Sequence, residues 1–292
     1  GKLMGRDAVQ PNFKSLPIAY HGRSSSIVIS GEAVMRPSGQ FRTQREGAEP
    51  SLEFGPSLRM DIEMELGAFI ARGNPLGTPI PLGEADEHIA GLCLLNDWSA
   101  RDIQAWESLP LGPFQGKNFL TSVSAWVITP DALEPYRNRG APRAPDDPPV
   151  LEYLRYANNN ALNTFEIHVE IRLRTARMRA EGLPEETISN AEFSRDNYWT
   201  FGQMIAHHTA NGCNLRPGDL LGSGTISGPD RGTEGCLLEL TRGGKEPLRL
   251  SNGETRTFLQ DGDEVALSAF CEHAGLPRIG FGVCRGLVKA QS

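Results

Sequence analysis

Between Asp61 and Leu66 polar and apolar residues alternate without a break, with Ile62, Met64 and Leu66 on one face and Asp61, Glu63 and Glu65 on the other. A period of two is the pattern of a strand whose faces meet different surroundings. Three carboxylates along one face repel each other, so the fold must supply a cation, a basic partner or open solvent. An exposed edge strand whose charges deter aggregation meets that demand, and so does a metal site. A second strand end bears on the choice. The apolar run Leu92-Cys93-Leu94-Leu95 reads as a short buried strand and stops at Asn96-Asp97, which puts a further carboxylate where a strand surfaces. Carboxylate donors without a histidine or cysteine cluster favour a hard cation, Mg²⁺ or Ca²⁺, over zinc.

Past Asp97, Ser99 is placed to cap a helix, with Asp102 three residues on, and Arg101 to Glu107 reads as that helix. Pro110, Gly112, Pro113 and Gly116 then make a loop that delivers Lys117. A carboxylate at a strand end, a short helix and a lysine loop within one stretch point to a site.

The remaining pattern is that of a β-rich protein. Thirty-two glycines and twenty-one prolines punctuate short strand-like runs. Ser26–Gly31, residues around 124–128, Thr164–Leu173, Cys236–Leu240, Glu264–Phe270 and Arg278–Val288 read as strands, and Asn197–Ala210 as a helix ending in His207-His208. Residues 36–56 read as an exposed connector, and 130–150 and 175–190 as surface loops. His168 falls on the polar face of its strand and carries no role. Asn211–Gly228 packs glycine and proline around Asp219-Leu220-Leu221, which marks backbone approaching something closely. Glu239 stands within an apolar run, so it must bridge to a base or orient a histidine.

A net charge of −7 argues against nucleic-acid binding, and no stretch reaches the apolar length of a membrane span. Five scattered cysteines, never in a CxxC pair, fit reduced thiols in a cytoplasmic protein. Gly1–Arg6 shows no initiator methionine, signal or transit composition, so the chain reads as cut rather than begun.

The motifs LPIAYHGRSSS at Leu16–Ser26, DIEMELGAF at Asp61–Phe69, NDWSARDIQAWE at Asn96–Glu107, PLGPFQGKNF at Pro110–Phe119 and NGCNLRPGDLLGSGTISGP at Asn211–Pro229 resemble the fumarylacetoacetate hydrolase family over nearly the whole chain. The resemblance implies a mainly β fold with short helices (α+β), a mixed β-sandwich roll, occupying residues 1–292 as one catalytic domain. In the members it most resembles, a small SH3-like barrel precedes that domain, and the protein is a homodimer. Carried over by motif, Glu63, Glu65 and Asp97 are implied as metal carboxylates, with Lys117 and Thr121 flanking the metal. Arg6, Tyr20, Gln104 and Thr225 are implied to hold the substrate, Lys117, Gln104 and Arg101 to face the developing oxyanion, and Glu239 to orient a catalytic histidine.

The activity implied is metal-dependent hydrolysis of a carbon–carbon bond in a β-diketo acid, giving fumarate and acetoacetate in tyrosine and phenylalanine breakdown. Acylpyruvase, decarboxylase and isomerase activities in the same superfamily are alternatives, as is a non-catalytic member. In the family the histidine base and one more metal carboxylate lie upstream of the segment matching Gly1–Arg6, so the expectation for these residues alone is weak metal binding and little turnover. Ser108 stands where the family places a substrate-contacting tyrosine, which implies a wider acyl pocket and a relaxed preference for the fumaryl end.

Overall fold

The structure, a computed structural model, describes residues 12–43, 49–158 and 161–291. Arg6 lies outside the described residues. Strands β1 (Ile27–Ile29) and β2 (Ala33–Met35) precede a hairpin of β3 (Ser38–Thr43) and β4 (Ser51–Pro56). Then come β5 (Met60–Asp61), β6 (Met64–Ile70), β7 (Ile89–Asn96), β8 (Ser99–Ala100), helix α1 (Arg101–Glu107) and β9 (Thr121–Val123). They are followed by α2 (Pro130–Leu133), β10 (Arg137–Asn138), β11 (Thr164–Phe165), β12 (His168–Arg174), α3 (Ala176–Ala180), β13 (Glu186–Glu192), α4 (Phe193–Asp196) and α5 (Phe201–Thr209). The chain closes with β14 (Leu220–Gly222), α6 (Leu237–Leu240), β15 (Leu248–Arg249), β16 (Thr255–Arg256), β17 (Glu264–Cys271) and β18 (Ile279–Lys289).

Two mixed sheets carry the architecture, one in the order β1-β9-β7-β6-β14 and the other β13-β12-β17-β18-β2. Their facing sides share one core. Met64, Leu66 and Ala68 of β6 and Leu92 and Leu94 of β7 join Val169, Ile171 and Leu173 of β12 and Val265 and Leu267 of β17. The alternation read from Asp61 to Leu66 therefore has its cause in this packing: Ile62, Met64 and Leu66 are all 0% exposed. Burying a large aliphatic side chain contributes about 1.5–3 kcal/mol, which pins the register and turns the acids to the opposite side. No helix among the described residues is long and apolar enough to cross a membrane.

Several local expectations need correction. Cys236–Leu240 forms the helix α6, not a strand, because the Asp61 carboxylate accepts the Leu237 and Leu238 N–H groups and satisfies its first turn. Residues 175–190 are not a loop; Thr175 caps α3 by accepting the Met178 N–H, and β13 adds to β12 with Ile188 and Ala191 turned inward. The connector at 36–56 is the hairpin of β3 and β4, held to α1 by buried Phe41 against Ala100 and Ile103. Residues 130–150 include α2 and β10. The strand expected around 124–128 falls instead at Thr121–Val123, with a single bridge from Ile128 to Leu92. Ser99 does not cap α1, since its hydroxyl donates to the Asp97 carbonyl at 2.9 Å and Ala100 holds the cap position.

Trp98, 0% exposed, fills the space between the sheets, and a Cβ on Gly286 would lie 2.5 Å from its Cζ2 and 2.8 Å from Val34 Cγ2. Gly286→Ala is expected to lower the unfolding free energy by about 1–3 kcal/mol through overpacking. Urea titration checks it; unchanged stability would show that this contact is slack.

Candidate metal centre

The site lies where β6 begins and β7 ends. In their antiparallel register Glu65 stands opposite Leu95 and Met64 opposite Asn96, so Asp97 emerges beside Glu63. The Asp97 N–H donates to the Glu63 carbonyl, and the Glu63 N–H donates to Asn96 Oδ1 at 3.1 Å. One carboxylate oxygen from each of Glu63, Glu65 and Asp97 lies within 4.8 Å of the others. The structure thus brings together the acids picked out at the two strand ends.

Lys117 arrives by the proline–glycine loop, and Glu107 shapes that loop by accepting the Phe114, Gln115 and Gly116 N–H groups. Gly116 is required there, because a Cβ would sit 2.7 Å from the backbone nitrogen of Gln104. The buried ammonium reaches Glu63 Oε2 at 2.5 Å and Asp97 Oδ2 at 3.0 Å. Arg101, from the first turn of α1, places Nη1 2.6 Å from Glu63 Oε1 and Nε 2.8 Å from Asp61 Oδ2. Gln104 lies one turn on and accepts from the same guanidinium at 3.2 Å. The Tyr20 hydroxyl donates to Asp97 Oδ2 at 2.5 Å.

Among the described residues, Asp61, Glu63, Glu65 and Asp97 thus confront two permanent cations in this buried group, Arg101 and Lys117. Two negative charges are left over. Their titration reflects it: burial pushes the Glu65 carboxyl well above its ordinary value, and the charges of Asp97 and Glu63 push it further. Asp97 is raised for the same first reason, with Lys117 pulling against it and Glu63 with it. Burial acts on Glu63 too, but Lys117 and Arg101 outweigh it and hold that carboxyl at about 2. Lys117 stays protonated, because Glu63 and Asp97 overcome the penalty of burial. Burial, then Asp97, raises the Tyr20 phenol, so it remains a donor.

The residues fit a divalent cation on three counts. Asp97 Oδ1 is buried without a hydrogen-bond partner. The oxygens are hard donors, and two positive charges would neutralise the group. A cradle is also present: a Cβ on Gly222 would lie 2.6 Å from Glu65 Oε2, and the Gly224 N–H donates to that oxygen at 3.1 Å. The close approach foreseen for Asn211–Gly228 is therefore an approach to Glu65.

The other expected residues are more dispersed. Thr225 is half-buried in the segment that follows β14, where the Ile226 N–H donates to the Met64 carbonyl. Thr121 opens β9 and is half-buried. Glu239, on α6, accepts the Ser227 hydroxyl at 2.5 Å and the Cys236 thiol at 3.4 Å; among the described residues no histidine hydrogen-bonds to it. His207 instead meets the Tyr153 hydroxyl at 2.9 Å, and His208 Nε2 lies 3.7 Å from Cys213 Sγ. Ser108 donates its hydroxyl to the Gln104 carbonyl at the end of α1. Sequence reasoning missed the bond from Tyr20 to Asp97 and the part played by Asp61; only the position of Asp61 in the alternating run hinted at the latter.

Opposed mixed sheets with an oxygen-only cluster at two strand ends set the class of protein. The chain belongs to the family described as fumarylacetoacetate (FAA) hydrolase C-terminal, which matches residues 2–289. It is 50% identical over 282 residues to the fumarylacetoacetase of Arabidopsis thaliana, covering 97% of this chain and 63% of that protein. It is 47% identical over 290 residues to the fumarylacetoacetase of Homo sapiens, covering 98% of this chain and 65% of that protein. The chain therefore spans less than two thirds of the length of these relatives. A solved structure of a probable 2-hydroxyhepta-2,4-diene-1,7-dioate isomerase from Mycobacterium abscessus superposes with a TM-score of 0.53 at 18% identity, over 94% of this chain and 71% of that one, which shows a shared fold.

Because burial raises the Glu65 and Asp97 carboxyls, protons compete with a cation for these oxygens, and the affinity for the cation rises with pH. The sign for stability follows from raised carboxyl values: without ion, these two groups favour folding at low pH and lose that contribution as pH rises through their raised values. Glu63, lowered to about 2 from 4.5, works the other way and loses its contribution as pH falls through that window. Mg²⁺ or Ca²⁺ at about 100 times Kd is expected to add about 2.7 kcal/mol of stability. At fixed ion concentration the gain is larger at about pH 8 than at about pH 5. Thermal unfolding with and without ion tests this, and an ion effect that is flat or larger at acid pH would contradict it.

Proposed function

We propose that the chain is the catalytic portion of a metal-dependent hydrolase that splits 4-fumarylacetoacetate with water into fumarate and acetoacetate, a closing step of tyrosine and phenylalanine breakdown. The observation that carries the reading is the convergence of Glu63, Glu65 and Asp97 with Lys117 and Arg101 at one buried point. The fumarylacetoacetases at 47–50% identity support it, as do the motif matches that assign the residue roles. Residues 1–292 are taken as one domain, with a small barrel preceding it in the longer protein.

Glu63, Glu65 and Asp97 would hold Mg²⁺ or Ca²⁺, which when bound supplies Lewis-acid polarisation of the dicarbonyl. The motif match assigns Thr121 a place beside that ion. Tyr20, Gln104 and Thr225, with Arg6, grip the carboxylate and carbonyl oxygens of the substrate, and a guanidinium suits a carboxylate. Water adds to the carbonyl carbon at the bond to be broken. Lys117, which keeps its proton, and the donors of Arg101 and Gln104 face the oxyanion that forms. The proton of the attacking water passes to an imidazole oriented by Glu239, which the family resemblance places upstream of Gly1. Collapse of the oxyanion releases fumarate, and the departing carbon takes up a proton to complete acetoacetate.

A homodimer in the cytoplasm is part of this proposal. Trp126, 67% exposed, lies across Gly282 next to exposed Val283, and Ser30, one residue past exposed Ile29, accepts the Arg285 N–H at 2.8 Å. Trp126, Val283 and Ile29 are exposed apolar side chains near the edges of the two sheets, the kind of surface that a second copy covers. All five cysteines are free, with Cys93, Cys236, Cys271 and Cys284 buried, which suits a reducing compartment. Trp126→Glu is expected to shift sedimentation towards the monomer at micromolar concentration; an unchanged dimer would place the interface elsewhere.

Loss of fumarylacetoacetate, followed by absorbance in the full-length protein with and without divalent ion, tests the activity. Lys117→Met is expected to keep the fold, judged by circular dichroism with ion present, while kcat falls by about 10²–10³. Unchanged turnover would remove Lys117 from the mechanism, and no metal-dependent turnover in the wild type would remove the hydrolase reading.

A further inference from the structure

Asp61 is 0% exposed, yet it stands outside the cluster of carboxylates that face one another. Both of its oxygens are fully engaged. Oδ1 accepts the Leu237 N–H at 2.7 Å and its neighbour Ile62 N–H at 2.8 Å, while Oδ2 accepts Arg101 Nε at 2.8 Å and the Leu238 N–H at 3.0 Å. One carboxylate thus ties together the guanidinium at the start of α1 and the first turn of α6, the helix that carries Glu239. The same guanidinium reaches past it to Glu63 Oε1 at 2.6 Å. Arg101 is therefore shared between two carboxylates, only one of which belongs to the metal cluster.

We propose that Asp61 is a positioning residue acting through Arg101: by taking half of the guanidinium's hydrogen bonding and charge, it leaves Glu63 available to a divalent cation and fixes Arg101 relative to Glu239. The physical reason is competition. A buried guanidinium with a single anionic partner pairs with it fully, and a cation seeking that carboxylate must then displace it. With Asp61 present, Arg101 retains a buried counter-ion whatever Glu63 binds. The four donors on Asp61 also explain its choice over asparagine, whose amide group would present donors to donors. This inference rests on the hydrolase reading above, and its test is built to fail separately.

The test is a double-mutant cycle in the full-length protein, with Mg²⁺ affinity read by calorimetry and kcat and KM read alongside. Asp61→Asn is expected to weaken Mg²⁺ about 10-fold and to lower kcat more than it raises KM. In an Arg101→Gln background the same change is expected to leave Mg²⁺ affinity within about twofold, since the competitor is gone. Equal weakening in both backgrounds would mean simple loss of a nearby negative charge and would overturn the proposal, as would an Asp61→Asn protein that binds Mg²⁺ like the wild type. Should Asp61→Asn not fold alone, Arg101→Gln against the double variant carries the test: equal affinity supports the proposal and weaker affinity in the double variant overturns it. A wild-type protein that binds Mg²⁺ and turns over substrate while the cycle fails refutes only this inference. A wild type that does neither refutes the hydrolase reading and this inference with it.

Discussion

Buried like charge is the constraint around which this molecule is arranged. Two carboxylates about 4 Å apart repel by about 4 kcal/mol at an effective dielectric of 20, and here Glu63, Glu65 and Asp97 crowd one another among fully buried apolar residues. No fold keeps such a group without compensation. Lys117 and Arg101 supply part of it, and burial together with the neighbouring acids raises the Glu65 and Asp97 carboxyls. A protein selected only for stability would replace such a group with packed aliphatic side chains. Its presence is accounted for by a site that uses negative charge.

The two sheets make that crowding possible by fixing everything around it. Ile62, Met64 and Leu66 are locked into the shared core, so the acids between them cannot rotate away from each other. β14 runs against β6 with Gly222 paired to Gly67, and the missing side chain of Gly222 is the space that the Glu65 carboxylate occupies. On the other side Glu107 stiffens the loop that brings Lys117 in. Asp61 joins α1 to α6 beneath the cluster. Each support is a backbone or buried contact rather than a mobile surface chain, as a preorganised electrostatic site requires.

Much of this was legible in the sequence wherever one period or one spacing determined the outcome. The alternating run from Asp61, the strand at Leu92–Leu95, the helix at Arg101–Glu107 and the glycine-rich approach at 211–228 all stand where the pattern placed them. The sequence misled where a contact from far along the chain decided. Cys236–Leu240 is too short for periodicity to distinguish strand from helix, and the answer lay in Asp61, distant in sequence, whose carboxylate accepts from its first turn. Residues 175–190 looked polar enough for a loop because β13 turns only Ile188, Ser189 and Ala191 inward at full burial. The bond from Tyr20 to Asp97 follows from the path of an irregular segment that no local rule predicts.

The central claim is that the strand-end acids hold a divalent cation. Crystals soaked in Mn²⁺, a carboxylate-seeking ion that scatters anomalously, test it most directly. The account predicts one dominant anomalous peak with oxygens of Glu63, Glu65 and Asp97 at about 2.2 Å. A saturating soak that leaves those oxygens without a peak, or puts the ion among other residues, would contradict it.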